Sequence, residues 1–136
     1  MIDVDHFKQL NDTRGHLVGD ECLVRIAGAL RLALPRITDF VARYGGDEFS
    51  ALLPTTDSEG AARMTEKARQ GIANLDISHP AAPSGSVTVS IGFSTFDGLF
   101  PYSSVSLAQK ADRALYEAKC RGRNCSVYFP MDDAGV

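Results

Sequence analysis

Nothing in the sequence resembles a membrane span or a signal peptide, so neither is expected of this stretch. It also lacks low-complexity tracts and internal repeats, which excludes solenoids and linker-like polymers. Cysteine is scarce: Cys22, Cys120 and Cys125 are odd in number and do not have the spacing of a metal site. A disulfide framework is therefore not expected, and a reduced cytoplasmic setting is. Positive charge is short as well, with 14 Lys and Arg against 17 Asp and Glu and a formal charge of -3, which argues against a general nucleic-acid surface. An anionic ligand would need a local cluster of Lys and Arg. What remains is an ordinary globular composition, 44% apolar and 23% charged in 136 residues, enough for one domain with a real core.

The chain opens inside a strand, Met1 to Lys8, with Asp3 and Asp5 alternating onto one face. No turn or cap precedes it, so the native domain is expected to continue upstream. Asn11 to His16 reads as a turn-rich loop. A helix follows, with Leu23, Ile26, Ala27, Leu30 and Leu34 at three- and four-residue spacing and with Asp20 and Glu21 in its first turn, where negative charge favours the dipole. Pro35 ends it. Thr56 and Glu59 predict a capping box for a second helix carrying Ala61, Met64, Ala68, Ile72 and Leu75. After a loop over His79 to Gly85, Ser86 to Phe93 has the clearest β-branched alternation in the chain. A third helix is expected from about Ser104 to Arg121, with Val105, Ala108, Ala111, Leu115 and Ala118 inward and Gly122 as its stop. Ser126 to Phe129 closes as a short strand, and Pro130 to Val136 reads as a frayed tail. This order predicts an α+β fold, a mainly antiparallel sheet with helices on one face.

The stretch Arg43-Tyr44-Gly45-Gly46-Asp47-Glu48-Phe49 lies between two strand-like segments, so Gly45-Gly46 falls where a hairpin must turn. Paired glycines let a backbone or a phosphate come close, and Asp47 and Glu48 put hard oxygen ligands beside the gap. That combination suits a metal-bound polyphosphate. In the predicted layout the hairpin tip comes beside the end of the first strand, bringing Asp3 towards Asp47 and Glu48.

Asp3-Val4-Asp5-His6-Phe7-Lys8 with Asn11-Asp12 and Gly15-His16, then Arg43 to Phe49, then Ala111-Asp112-Arg113-Ala114-Leu115-Tyr116 with Lys119 and Gly122-Arg123-Asn124, closely resemble the GGDEF family of diguanylate cyclases. The resemblance runs through essentially the whole chain. It implies a palm-like sheet similar to nucleotide cyclase and polymerase palms, a bacterial cytoplasmic protein, and the joining of two GTP molecules into cyclic di-GMP with release of pyrophosphate. It makes residues 1–129 a GGDEF domain and 130–136 a tail. The family's segment before the first strand, with a Leu-Thr-Gly-Leu-x-Asn-Arg type motif, has no counterpart, so the resemblance implies an N-terminally truncated domain.

Carried over by position, Asp3, Val4 through its carbonyl, Asp47 and Glu48 become ligands of Mg²⁺, with Mn²⁺ as the alternative ion. Asp47 and Glu48 become the catalytic pair, with ligand and base left unassigned between them. One or two such ions suit a ribose hydroxyl attacking an α-phosphate. Asp5 is expected to support these ligands by hydrogen bonding. Phe7, Lys8, Asn11, Asp20, Gly45, Gly46, Lys119 and Arg123 match GTP-binding positions; Asn11 and Asp20 suit the guanine edge, and Lys8, Lys119 and Arg123 the phosphates. Arg36 and Asp39 match the product inhibitory site, where arginine can fork onto a phosphate or guanine. His16 resembles the family's structural loop histidine, while His6 and His79 carry no ligand spacing. A homodimer is implied, because two nucleotides must attack one another, as is an upstream sensor or regulatory domain. Two other readings compete: a catalytically incomplete GGDEF domain that binds GTP or cyclic di-GMP as a regulatory module, and another palm-type nucleotidyl transferase.

Overall fold

Alternation along a central strand divides the molecule into two packed layers. A computed structural model describes residues 1–96, 98 and 103–131, so residues 132–136 of the expected tail lie outside the described residues. The elements are β1 (Ile2–Val4), α1 (Phe7–Arg14), α2 (His16–Ala33), β2 (Phe40–Arg43), β3 (Glu48–Leu52), α3 (Ser58–Ala73), β4 (Val89–Phe93), α4 (Ser104–Cys120) and β5 (Ser126–Tyr128). One sheet runs in the order β2-β3-β1-β4-β5. Its pairs are antiparallel except β4 with β5, which are joined in parallel through α4. The expected α+β, palm-like, mainly antiparallel sheet with helices packed against it is what forms.

Ile2 and Val4 of β1, Val89 and Ile91 of β4 and Phe49 of β3 are buried in one cluster with Leu23, Ile26 and Leu30 of α2 and Ala68 and Ile72 of α3. Each fully buried aliphatic side chain of this layer contributes on the order of 1.5–3 kcal/mol. The opposite parity looks the other way. Gly92 of β4 lies so close under α4 that a β-carbon there would collide with the backbone of Ala111, Ala114 and Leu115. Ala114 and Ala118 of α4 pack on Val127 of β5 as a separate small cluster. Helices therefore cover both faces of the sheet, and the expectation of a one-sided arrangement is corrected. The cause is readable in β4, whose Val89 and Ile91 demand one apolar cover while Gly92 admits a helix backbone on the other side.

Other local expectations shift for physical reasons. Asn11 to Arg14 is the second half of helix α1 and not a loop, its Leu10 fully buried against the core. Gly15, at φ 86, breaks α1 from α2, which begins at His16. Asp20 and Glu21 thus fall in the second turn of α2, beyond the reach of a first-turn dipole effect. Asp57 caps α3, its carboxylate accepting from Gly60 N at 2.7 Å, while Glu59 pairs instead with Arg63. β4 starts only at Val89; Ser86 makes an isolated bridge to Ser78. Val105 and Ala108 of α4 face solvent, and Ala114 takes the inward place.

Candidate active site

The pairing of β1 with β3 brings the carboxylates together. Asp3 stands opposite Glu48 in register, and Val4 N donates to the Asp47 carbonyl at 3.1 Å. Lys119, near the end of α4, reaches over the sheet and places Nζ 2.9 Å from Asp3 Oδ2. Burial pushes the Asp3 carboxyl above the ordinary carboxylate range; Lys119 opposes this, while Asp47 and Glu48 add to it. Asp3 is thus brought beside Asp47 and Glu48, the juxtaposition expected from the sequence, and the Lys119 contact with Asp3 is an addition to it. Among the described residues no three His, Cys, Asp or Glu side chains stand close enough to form a metal cage by themselves.

The hairpin is held by backbone and by Arg43. Tyr44 N and Gly45 N both donate to the Glu48 carbonyl, at 2.8 and 3.3 Å, and Arg43 Nε donates to the carbonyls of Gly45 and Gly46 at 3.2 and 2.9 Å. Neither glycine adopts positive φ. Gly45 serves by size, since a β-carbon there would come within 3.3 Å of Glu48 Oε2. Arg43 belongs to the motif, yet sequence reasoning gave it no task of its own.

His6, in the left-handed region at φ 55, swings the chain from β1 into α1, so Phe7 and Lys8 open that helix directly after the Asp3–Val4 edge. The buried His79 ring fixes this corner: its Nε2–H donates to the His6 carbonyl at 2.9 Å. Asn11 lies across from Gly19 of α2, where a β-carbon would collide with its Oδ1 and press on Phe7. That Oδ1 is buried without a partner among the described residues. Asn11 therefore lies in the α1–α2 seam, with Asp20 exposed on α2 one position beyond Gly19. Arg123 is exposed on the turn after α4, at φ 66.

Asp5 is 2% exposed and accepts from Thr88 Oγ1 at 2.7 Å, Ser90 Oγ at 2.6 Å and Asn124 N at 3.0 Å. Thr88 and Ser90 are partners of Asp5 that the sequence reading does not single out. Their signal is the polar residue at every second place of an otherwise Val and Ile strand, which marks a buried polar partner on that face.

Arg36 and Asp39 lie apart from these groups, between α2 and β2. Arg36 forks onto Asp39, with Nη2 at 2.8 Å and Nε at 3.1 Å from Oδ1, and Nη2 also donates to Thr56 Oγ1 at 2.6 Å. The Asp39 side chain is fully covered. The cysteines behave as expected of fillers and incidental thiols: Cys22 is buried in the core, its thiol pushed by burial up to about 11, and Cys120 is exposed.

Residues 1–125 match the family model described as diguanylate cyclase, GGDEF domain. Diguanylate cyclase DgcP of Pseudomonas aeruginosa is 43% identical over 124 residues, which cover 91% of this chain and 18% of that protein. Diguanylate cyclase A of Treponema denticola is 39% identical, covering 91% of this chain and 33% of its own length. The chain therefore spans less than two thirds of either relative. Among solved structures, the GGDEF domain of DgcB from Caulobacter crescentus, in complex with c-di-GMP, superposes with a TM-score of 0.81 at 33% identity, covering 93% of this chain and 74% of that one. No helix among the described residues is long and apolar enough to cross a membrane. With the hairpin carboxylates set against Asp3 and the family match running over nearly all of the sequence, the chain belongs to the GGDEF domains of the diguanylate cyclase family.

Proposed function

We infer that this domain condenses two GTP molecules into cyclic di-GMP with release of pyrophosphate, as the catalytic part of a cytoplasmic bacterial signalling protein that carries a sensor or regulatory domain. The observation that carries the reading is the register of β1 on β3, which sets Asp3 opposite Glu48 and beside Asp47, with the Lys119 ammonium on the same carboxylate.

The donor set fits Mg²⁺, with Mn²⁺ as the alternative. A hard cation of this kind is commonly bound by one or two carboxylates plus substrate phosphates and waters, not by a full protein cage. Burial has left Asp3 short of countercharge, its carboxyl held above the ordinary range even with Lys119 in contact. Asp3, the Val4 carbonyl, Asp47 and Glu48 would hold the ion, which when bound neutralises charge building at the α-phosphate and on the leaving pyrophosphate.

The chain's own groups do the rest. Phe7 and Lys8 open α1, whose unpaired first amides and dipole favour phosphate, and Lys8, Lys119 and Arg123 add positive charge there. Gly45 and Gly46 keep the hairpin low enough for the nucleotide to lie over it. Asn11, from the α1–α2 seam, and Asp20, exposed on α2, meet the guanine edge, to which the unpartnered Asn11 Oδ1 has an acceptor to offer. Glu48 or Asp47 takes the proton from the attacking 3′-hydroxyl. Two copies, each presenting one GTP, face each other for the two symmetric attacks. Cyclic di-GMP would bind back at Arg36 and Asp39.

The test is to incubate the full-length protein, with its upstream segment and regulatory domain, with GTP and Mg²⁺, to resolve products by chromatography and to measure GTP binding. Cyclic di-GMP and pyrophosphate are expected. GTP bound but not turned over would establish the regulatory-module reading, and a different nucleotide product the more general palm transferase.

A further inference from the structure

The mechanism gives Asp5 no contact with substrate, yet it is the most thoroughly buried carboxylate near the site. A buried carboxylate needs its full set of donors to be tolerated. Two of the three, Thr88 and Ser90, come from β4 and its approach, and the third is the backbone amide of Asn124, far along the chain. That amide belongs to an unusual turn. Gly122, Arg123 and Asn124 have φ of 104, 66 and 48, three left-handed residues in succession. Glycine enters that region freely and asparagine tolerably, but arginine does not, and such a residue persists only where its surroundings hold it.

The surroundings hold it from two sides. Asp5 fixes the Asn124 amide from the sheet, and Arg69 of α3 donates Nη1 to Asn124 Oδ1 at 2.7 Å from the other. Arg69 is itself clamped by Glu66, with Nη2 at 2.6 Å from Oε1 and Nε at 2.9 Å from Oε2. Arg123 N closes the turn on the Ala118 carbonyl at 3.1 Å, just before Lys119, the residue seated on Asp3.

We propose that Asp5 and Arg69 are positioning residues that fasten the Gly122–Asn124 turn between β1 and α3, so that Arg123 is held ready for the substrate's phosphates. The proposal rests on the reading of Arg123 as a phosphate contact. A strained turn held this way spares the nucleotide the ordering of the arginine backbone, which the free turn would otherwise lose on binding.

Two measurements on the whole protein test it. The first needs no nucleotide: amide hydrogen exchange at Asn124, an exposed residue whose N–H should nonetheless be protected, and whose protection should fall in Asp5→Asn and in Arg69→Ala. The second is a double-mutant cycle on GTP affinity in the presence of Mg²⁺, read by calorimetry. Asp5→Asn alone should weaken GTP binding about tenfold, the low end for partners that orient a binding group. In an Arg123→Ala background the same change should add almost nothing. Arg69→Ala, nearer the surface, should repeat the pattern if Asp5→Asn folds poorly. Unchanged Asn124 exchange, or equal weakening with and without Arg123, overturns the proposal. A protected Asn124 amide in a parent protein that binds no GTP overturns the nucleotide reading of the site instead, and leaves the fastening of the turn supported.

Discussion

Asp3–Lys119 and Arg36–Asp39 are each a cation set on a carboxylate at hydrogen-bond distance, and they are built in opposite ways. Asp3 and Lys119 come from opposite ends of the chain and meet only because α4 crosses the sheet face over Gly92. Arg36 and Asp39 are three residues apart on one connecting segment, and the pair closes on itself with Thr56 as a third partner. In the first, burial outweighs the pairing and leaves the carboxyl pushed upward, ready for more positive charge. In the second, the carboxylate is already forked by its arginine and its side chain is covered. The pair assembled by the fold leaves its carboxyl raised by burial, whereas the pair assembled by local sequence closes through hydrogen bonds among Arg36, Asp39 and Thr56.

The sharpest way to break the first site is Asp47→Asn. The substitution keeps the shape of the hairpin and removes one charge beside Asp3. It should cost several kcal/mol of transition-state stabilisation, on the order of a thousandfold in rate, with the thermal midpoint little changed. Product formation and a melting curve on the same sample check it, and near-normal turnover would remove Asp47 from the catalytic pair.

Gly92→Ala attacks the same site through the fold. The added methyl meets backbone atoms of α4, which cannot swing aside as a side chain could. Overpacking of this kind typically costs about 1–3 kcal/mol, and the displacement should carry Lys119 away from Asp3. Denaturant unfolding should therefore show a lower midpoint, and cyclic di-GMP synthesis should fall, while product affinity at Arg36 stays as it was. Parental stability in this variant would mean that α4 tolerates a shift and that its close approach is incidental.

For the second site the change is Arg36→Ala. Losing a charged hydrogen-bond donor costs roughly 1.5–3 kcal/mol, and because Arg36 is already paired with Asp39 the low end is expected, about tenfold in cyclic di-GMP affinity. Calorimetry with the product decides it; an unchanged dissociation constant would leave Arg36–Asp39 as a structural link between the α2–β2 segment and Thr56.

The contrast also marks what the sequence could and could not reveal. The hairpin, the inward stripe of α2 and the meeting of Asp3 with Asp47 and Glu48 were legible because each rests on a short-range pattern, alternation or helical spacing, joined to a strong motif. The second helical layer was not. Nothing local says that Gly92 will take a helix backbone on its bare side, and the apolar stripe proposed for α4 ran through Val105 and Ala108, which the structure leaves in solvent. Helix α1 was hidden because Asn11, Asp12 and Thr13 are turn formers taken singly; the fold overrides them by burying Leu10. Asp57 took the capping role from Thr56 because both residue types cap well and one position decides the helix entry.

The smallest effect expected, and the one that separates stability from function at the first site, is a rise in the melting temperature on Asp3→Asn. The raised carboxyl of Asp3 has burial as its largest cause, with Asp47 and Glu48 adding to it and Lys119 only partly offsetting it. For a group whose folded pKa lies above its unfolded value, the favourable contribution is complete below the unfolded pKa, near 3.9 for Asp, and is lost as pH rises through the folded pKa. At neutral pH the ionised Asp3 therefore weighs against folding, and replacing it with a neutral residue of the same shape should raise the melting temperature. Lowering the pH through the carboxylate range protonates Asp3 and should close the gap between parent and variant. The measurement is a pair of melting curves at several pH values with a chelator present, so that no divalent ion rewards the native carboxylate. A variant that melts below the parent at neutral pH would mean that the Lys119 pair outweighs burial. Asp3 would then be a structural charge as well as a functional one, and the distinction drawn between the two pairs would fail.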